Sequence, residues 1–158
     1  MPYLSYENDP YMVIMDGRLY WICDAYTSSS KYPYSEPVDE TSSMNYVRNS
    51  VKVVVDAYNG DTNYYIVDEN DPVAATYQKI YPKLFKSYDD IPEAMRPHLR
   101  YPNAMFKIQA SVYTKYHMDE VKVFYQKEDL WDIAHQIYGT EDTEMDPSYR
   151  SEEHTSEL

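Results

Sequence analysis

The sequence predicts an α+β domain, with antiparallel β-hairpins in the first half followed by short helices. Short apolar, β-prone runs flank two turn signals, Asp16-Gly17 and Asn59-Gly60. Past Asp68 the apolar spacing becomes helical. The hairpins come first and the helices after, without the alternation of βαβ units.

In order, Tyr11–Met15 is expected to pair with Leu19–Ala25 around Asp16 and Gly17. Leu19, Trp21, Cys23 and Ala25 share one face of the second strand, read as the core, which makes Cys23 a small buried hydrophobe and not a nucleophile. Thr27 to Ser43 is polar and proline-bearing and reads as an exposed loop. Ser50–Tyr58 and Asn63–Asp68 form the second hairpin across Asn59–Thr62. Asp71 is then an N-cap and Pro72 a first helical residue. Val73, Tyr77, Ile80 and Tyr81 share a face until Pro82 stops the helix. A short helix starts at Asp90-Ile91-Pro92 and ends before Pro97. The longest runs from Pro102 to His117, with Met105, Ile108, Val112 and Tyr116 on one side. Val121–Tyr125 reads as a further strand. A last helix would follow, with Leu130, Trp131, Ile133, Ala134 and Ile137 apolar and Gly139 as its stop. From Thr140 onward no core-forming pattern is visible.

Composition narrows the function classes. The chain has 158 residues, enough for one domain, and carries a formal charge of −13. Such acidity opposes sequence-independent binding to nucleic acid or anionic lipid, both of which need clustered Lys and Arg. Cationic, neutral or polyhydroxylated partners stay open. The lone Cys23 makes no internal disulfide and no multi-cysteine metal cluster. No apolar run approaches the ~20 residues of a membrane-crossing helix, and the N-terminus does not read as a signal peptide. With glycine only at Gly17, Gly60 and Gly139, there is no phosphate loop, dinucleotide fingerprint or nucleophile elbow.

Two kinds of candidate site remain. Asp56, Asn59 and Asp61, with Asp68, Glu69, Asn70 and Asp71 nearby, offer oxygen ligands to calcium, although hairpin turns and helix caps select the same residue types. His98, His117, His135 and His154 are too dispersed for a helical zinc motif and read as capping or hydrogen-bonding groups. The 20 tyrosines are the most distinctive feature. Tyr20, Tyr65 and Tyr113 read as packing residues with wet hydroxyls. Tyr26, Tyr32 and Tyr34, around the "KYPYSEP" loop, are the binding candidates, because aromatic rings on an exposed loop build contact surfaces for a sugar, peptide or protein.

Four strings, "DGRLYWICDAYTSSSKYPYS", "NYVRNSVKVVVDAYNGD", "HLRYPNAMFKIQASVYTKYHM" and "VFYQKEDLW", resemble members of the uncharacterised protein family UPF0182, known from bacterial membrane proteins. The resemblance runs from Asp9 to Tyr149. It implies a much longer parent, with several membrane spans in its N-terminal part and a large soluble region outside the cell. It brings no reaction, cofactor or catalytic residue. On this basis residues 9–139 are expected to be part of a soluble α+β domain, residues 140–149 to be weakly structured, and the chain to lie outside the cytoplasm on a protein of the cell membrane.

The leading functional expectation is a non-enzymatic module for recognition or assembly at the cell envelope, meeting a glycan, peptide or protein without a cofactor. The alternatives are an enzyme acting on an envelope polymer through paired carboxylates, or a purely structural part of a larger domain. The final residues, "RSEEHTSEL", match one reading frame of a common short-read sequencing adapter. Residues 150–158 are therefore expected to be a non-native tail.

Overall fold

β1 (Ser5–Tyr6) and β2 (Tyr11–Met15) both pair antiparallel with β3 (Arg18–Ser29), which continues antiparallel to β4 (Tyr46–Asp56) and through it to β5 (Thr62–Ile66). The computed structural model that shows this describes residues 1–38 and 41–149, so the expected tail at 150–158, with His154, lies outside the described residues. Asp16 and Gly17 link β2 to β3 with φ of 50° and 75°. Two left-handed residues give a tight hairpin turn the twist of its strands, which is why the Asp-Gly pair sits there. After α1 (Pro72–Ile80), β6 (Phe85–Lys86) adds to β5 in parallel. The strand order is β1-β3-β4-β5-β6, with β2 also on β3. An α+β fold with early antiparallel strands and later short helices is thus present.

Both faces of this sheet are covered. On one, Ala25, Val51, Val53 and Ile66 pack with Leu4, with Ala74 of α1 and with Phe85. On the other, Val13, Ile22, Val54 and Tyr65 pack with Ile91 and Met95, carried by short 3₁₀ segments at Tyr88–Asp90 and Glu93–His98. Ser50 to Val54 are consequently buried without a break, the signature of a strand covered on two sides. The single core face expected on β3 is corrected accordingly. Ala25 is buried and Cys23 half-buried beside it, but Trp21 is exposed, and Ile22 on the opposite face is fully buried.

Three other expectations are corrected. β3 runs on through a bulge at Tyr26 to Ser29, so Thr27 is buried strand and not loop. The second hairpin closes through residues 57–61, with Gly60 at φ 76°, where Asn59–Thr62 was the expected turn. On α1 the buried residue is Ala74, while Ile80 is exposed.

By contacts the chain forms two compact units, Met1–Pro102 and Asn103–Leu158. The second holds α2 (Asn103–Tyr116), close to its expected span. Val121–Tyr125 is not a strand but lies in a helix, α3 (Val121–Gln126), which Lys127 closes in the left-handed conformation. A strand needs a neighbour, whereas a helix turn satisfies its own backbone, and here Phe124 N–H donates to the Glu120 carbonyl. The expected helix ending at Gly139 is also replaced. β7 (His135–Tyr138) and β8 (Glu141–Glu144) form a hairpin, and Gly139 at φ 67° lies in its turn.

Inside the sheet, Lys52 and Asp24 are cross-strand partners, and both are buried. The ammonium donates to the Asp24 carboxylate and, at 2.7 Å, to the Arg100 carbonyl. A buried pair adds little over an apolar pair, but stranding one partner is costly. Lys52→Met is expected to destabilise the chain by about 3–5 kcal/mol in urea unfolding, and Asp24→Leu with Lys52→Met to recover most of that loss.

Candidate functional site

Asp71 is fully buried at the start of α1. Its carboxylate accepts hydrogen bonds from the Val73 N–H (2.9 Å), from the hydroxyls of Thr27 and Ser50 (both 2.5 Å) and from the Tyr46 hydroxyl (2.7 Å). The first bond is the helix cap that sequence predicts. The other three come from the end of β3 and the start of β4, the two strands that enter and leave the loop at residues 30–45. Burial acts to raise the Asp71 pKa, but the hydrogen bonds from Ser50, Thr27, Tyr46 and Val73 outweigh it and hold the carboxyl below its usual range. The Tyr46 hydroxyl is pushed up to about 12 by burial and by its bond to Asp71.

The loop is pinned from within by Asn45. Its side-chain carbonyl accepts from the Tyr32 N–H at 3.1 Å, and its side-chain amide donates to the carbonyls of Tyr32 at 2.7 Å and Ser35 at 3.2 Å. The Asn45 N–H donates to the Ser29 carbonyl at 3.0 Å, drawing the loop ends together. Tyr32 stacks on Tyr46 with ring centroids 5.2 Å apart, and the Arg48 guanidinium lies 5.9 Å from the Tyr46 ring centroid. Arg48 is itself held by Asp68 at 2.8 Å.

Of the three tyrosine candidates, Tyr32 and Tyr34 are exposed on this loop. Tyr34 is fully exposed and sits at φ 61°, a strained position for a bulky side chain. Tyr26 does not join them. It is buried at the β3 bulge and donates to Glu7 at 2.5 Å, with burial and that bond raising its pKa. Ser28, Ser29, Ser30, Lys31, Ser42, Ser43 and Met44 line an open depression of about 400 Å³ at the base of the loop. In the sequence these serines read only as generic loop polarity. Their spacing on either side of the proline-bearing stretch was the available signal.

The calcium candidates serve the backbone and a neighbouring cation. Asp56 is bound by Arg18 at 2.7 Å and accepts from the Tyr58 N–H, and backbone donation at Tyr58 is the main cause that lowers its pKa. The Asn59 amide donates to Asp61 at 2.7 Å, and the Asp61 N–H donates back to the Asn59 side-chain carbonyl. Among the described residues no group of three or more His, Cys, Asp or Glu side chains is placed to hold a metal. His117 lies just past α2, with its Nδ1 3.0 Å from the Tyr113 carbonyl and its ring stacked on Trp131. His135 meets Asp142 at 3.1 Å. Burial raises the Cys23 thiol pKa, consistent with a packing role. In the second unit, Phe106, Ala110, Ile133, Ala134 and Met145 line a cleft of about 460 Å³ beside the Lys107–Asp146 ion pair.

The model of an uncharacterised protein family, UPF0182, matches residues 1–157. The chain belongs to UPF0182. Relatives with that family name include one from Methanospirillum hungatei, 55% identical over 152 residues, and one from Moorella thermoacetica, 52% identical over 149. A third, from Pelotomaculum thermopropionicum, is 51% identical over 148 residues. Each alignment covers 94% of this chain but only 16–17% of the relative, so this UPF0182 chain spans about one sixth of the curated relatives it matches. No solved structure matches it. Among the described residues no helix is long and apolar enough to cross a membrane.

Asp71→Ala removes a cap and leaves three hydroxyls without their acceptor, and is expected to cost about 3 kcal/mol or more in urea unfolding. The pH dependence has a defined sign. Because the folded-state pKa of Asp71 is lowered, its contribution is complete above the unfolded value of about 3.9 and is lost as pH falls through the folded value. The stability gap between the natural chain and Asp71→Asn should therefore be constant above about pH 5 and shrink below about pH 4.

Proposed function

We propose that this UPF0182 segment is an extracytoplasmic recognition module of a longer membrane protein, holding a neutral, polyhydroxylated envelope polymer, a glycan, against Tyr32 and Tyr34. The observation that carries the reading is Tyr34. A bulky residue in the left-handed region on an otherwise pinned loop keeps a strained backbone and a fully exposed ring, and such strain collects where function demands it. Aromatic rings on a loop whose base carries serine hydroxyls suit the apolar faces and hydroxyl rims of sugars, and a loop fixed in advance loses little entropy on binding. The formal charge of −13 favours a ligand without negative charge.

Four acids of the first unit are committed to structure, which supports binding over catalysis. Asp24, Asp56 and Asp68 are each paired with a cation, and Asp71 is saturated by donors. Such carboxylates are poorly placed to serve as the acid and base of a glycoside hydrolase.

Tyr32→Ala with Tyr34→Ala should weaken binding to soluble, uncharged N-acetylglucosamine oligosaccharides at least tenfold by calorimetry, with the unfolding midpoint nearly unchanged. Unaltered affinity in this double variant would remove the loop from the account. Tyr34→Gly separates the ring from its backbone strain. It should stabilise the chain by about 1 kcal/mol, since glycine occupies the left-handed region without penalty, while lowering affinity.

A further inference from the structure

The two units differ in how well they cover their own apolar residues. Every buried apolar side chain among the described residues except Met105 belongs to the first unit. In the second, one side of α2, with Phe106, Ala110 and Thr114, lines the open cleft with Ile133 and Ala134. Tyr113 and His117, also toward that side, pack on Trp131. Helical periodicity puts Met105, Val112 and Tyr116 on another side, where sequence predicts the core; Met105 at its N-terminal end is buried, but Val112 and Tyr116 toward the C-terminal end are about half exposed. α3 extends that bare surface. Phe124 packs on Tyr116 with ring centroids 5.5 Å apart, and Val121 and Tyr125 beside it are 82% and 86% exposed.

We propose that the face formed by Val112, Tyr116, Val121, Phe124 and Tyr125 is covered by another segment of the same polypeptide in the full-length UPF0182 protein. Contiguous apolar surface of this kind marks an interaction site. More than four fifths of each matched relative lies outside the stretch this chain aligns with, so a large amount of covalently attached chain is at hand. Attachment gives such a segment a high effective concentration, an advantage a second copy or an unlinked protein lacks. The formal charge of −13 opposes docking on an anionic lipid surface. The inference shares with the glycan reading only the longer parent protein, and it does not depend on the tyrosine loop.

Hydroxyl-radical footprinting with mass spectrometry tests it, comparing this chain alone with the full-length Methanospirillum hungatei relative in detergent and in lipid bilayers. The side chains aligned with Tyr116, Phe124 and Tyr125 should react at least fivefold more slowly in the full-length protein, equally in detergent and bilayers. Equal reactivity in the short and long chains would overturn the proposal. So would protection seen only in bilayers, which would make lipid the occupant, or protection in the short chain that rises with its concentration, which would make it a second copy. Glycan binding is not read in this experiment, so failure of the loop reading leaves its outcome intact.

Discussion

One carboxylate organises the first unit. Asp71 begins α1, and the donors that satisfy it are spread over β3, β4 and the helix, so a single buried charge ties three elements together. A charge in that position is tolerable only because each donor replaces part of the lost water. Through Tyr46 the same network reaches the surface, since Tyr46 donates to Asp71 at one end and stacks on Tyr32 with its ring. The loop that presents Tyr32 and Tyr34 thus has its roots in the interior.

The sheet around this network is closed on both faces, and its buried polar groups are paired. Lys52 and Asp24 lie in the interior as cross-strand neighbours, and the Arg100 carbonyl completes the ammonium's shell. The second unit has no comparable interior among its described residues. Its aromatic side chains meet in pairs, His117 stacked on Trp131 and Tyr116 tilted against Phe124, and of these only the His117 ring is well covered. One unit closes its core with its own residues, and the other displays apolar surface that asks for a covering.

Much of the first unit is legible in the sequence because its signals are local. Asp16-Gly17 dictates a tight hairpin, and Asp71-Pro72 dictates a helix start. What escapes is set by distant residues. Nothing near Thr27 in the sequence says that it is buried strand, because its partner is forty-four residues away at Asp71. Tyr26 looks like Tyr32 and Tyr34 in sequence, yet the bulge turns it inward against Glu7. In the second unit, Val121–Tyr125 has strand propensity but forms a helix, and Gly139 marks a hairpin turn where a helix end was expected. Glycine at positive φ suits both, so the residue alone does not choose between them.

The central claim is that the Asp71 network holds the tyrosine loop in place. Amide hydrogen exchange in Asp71→Asn, compared with the natural chain, tests it most directly. If the claim holds, the N–H groups of Tyr32 and Asn45, which bond within the loop, lose protection at least tenfold more than the β4 amides near Val53. Loop amides that keep their protection, or that lose it only in step with the whole sheet, would contradict it.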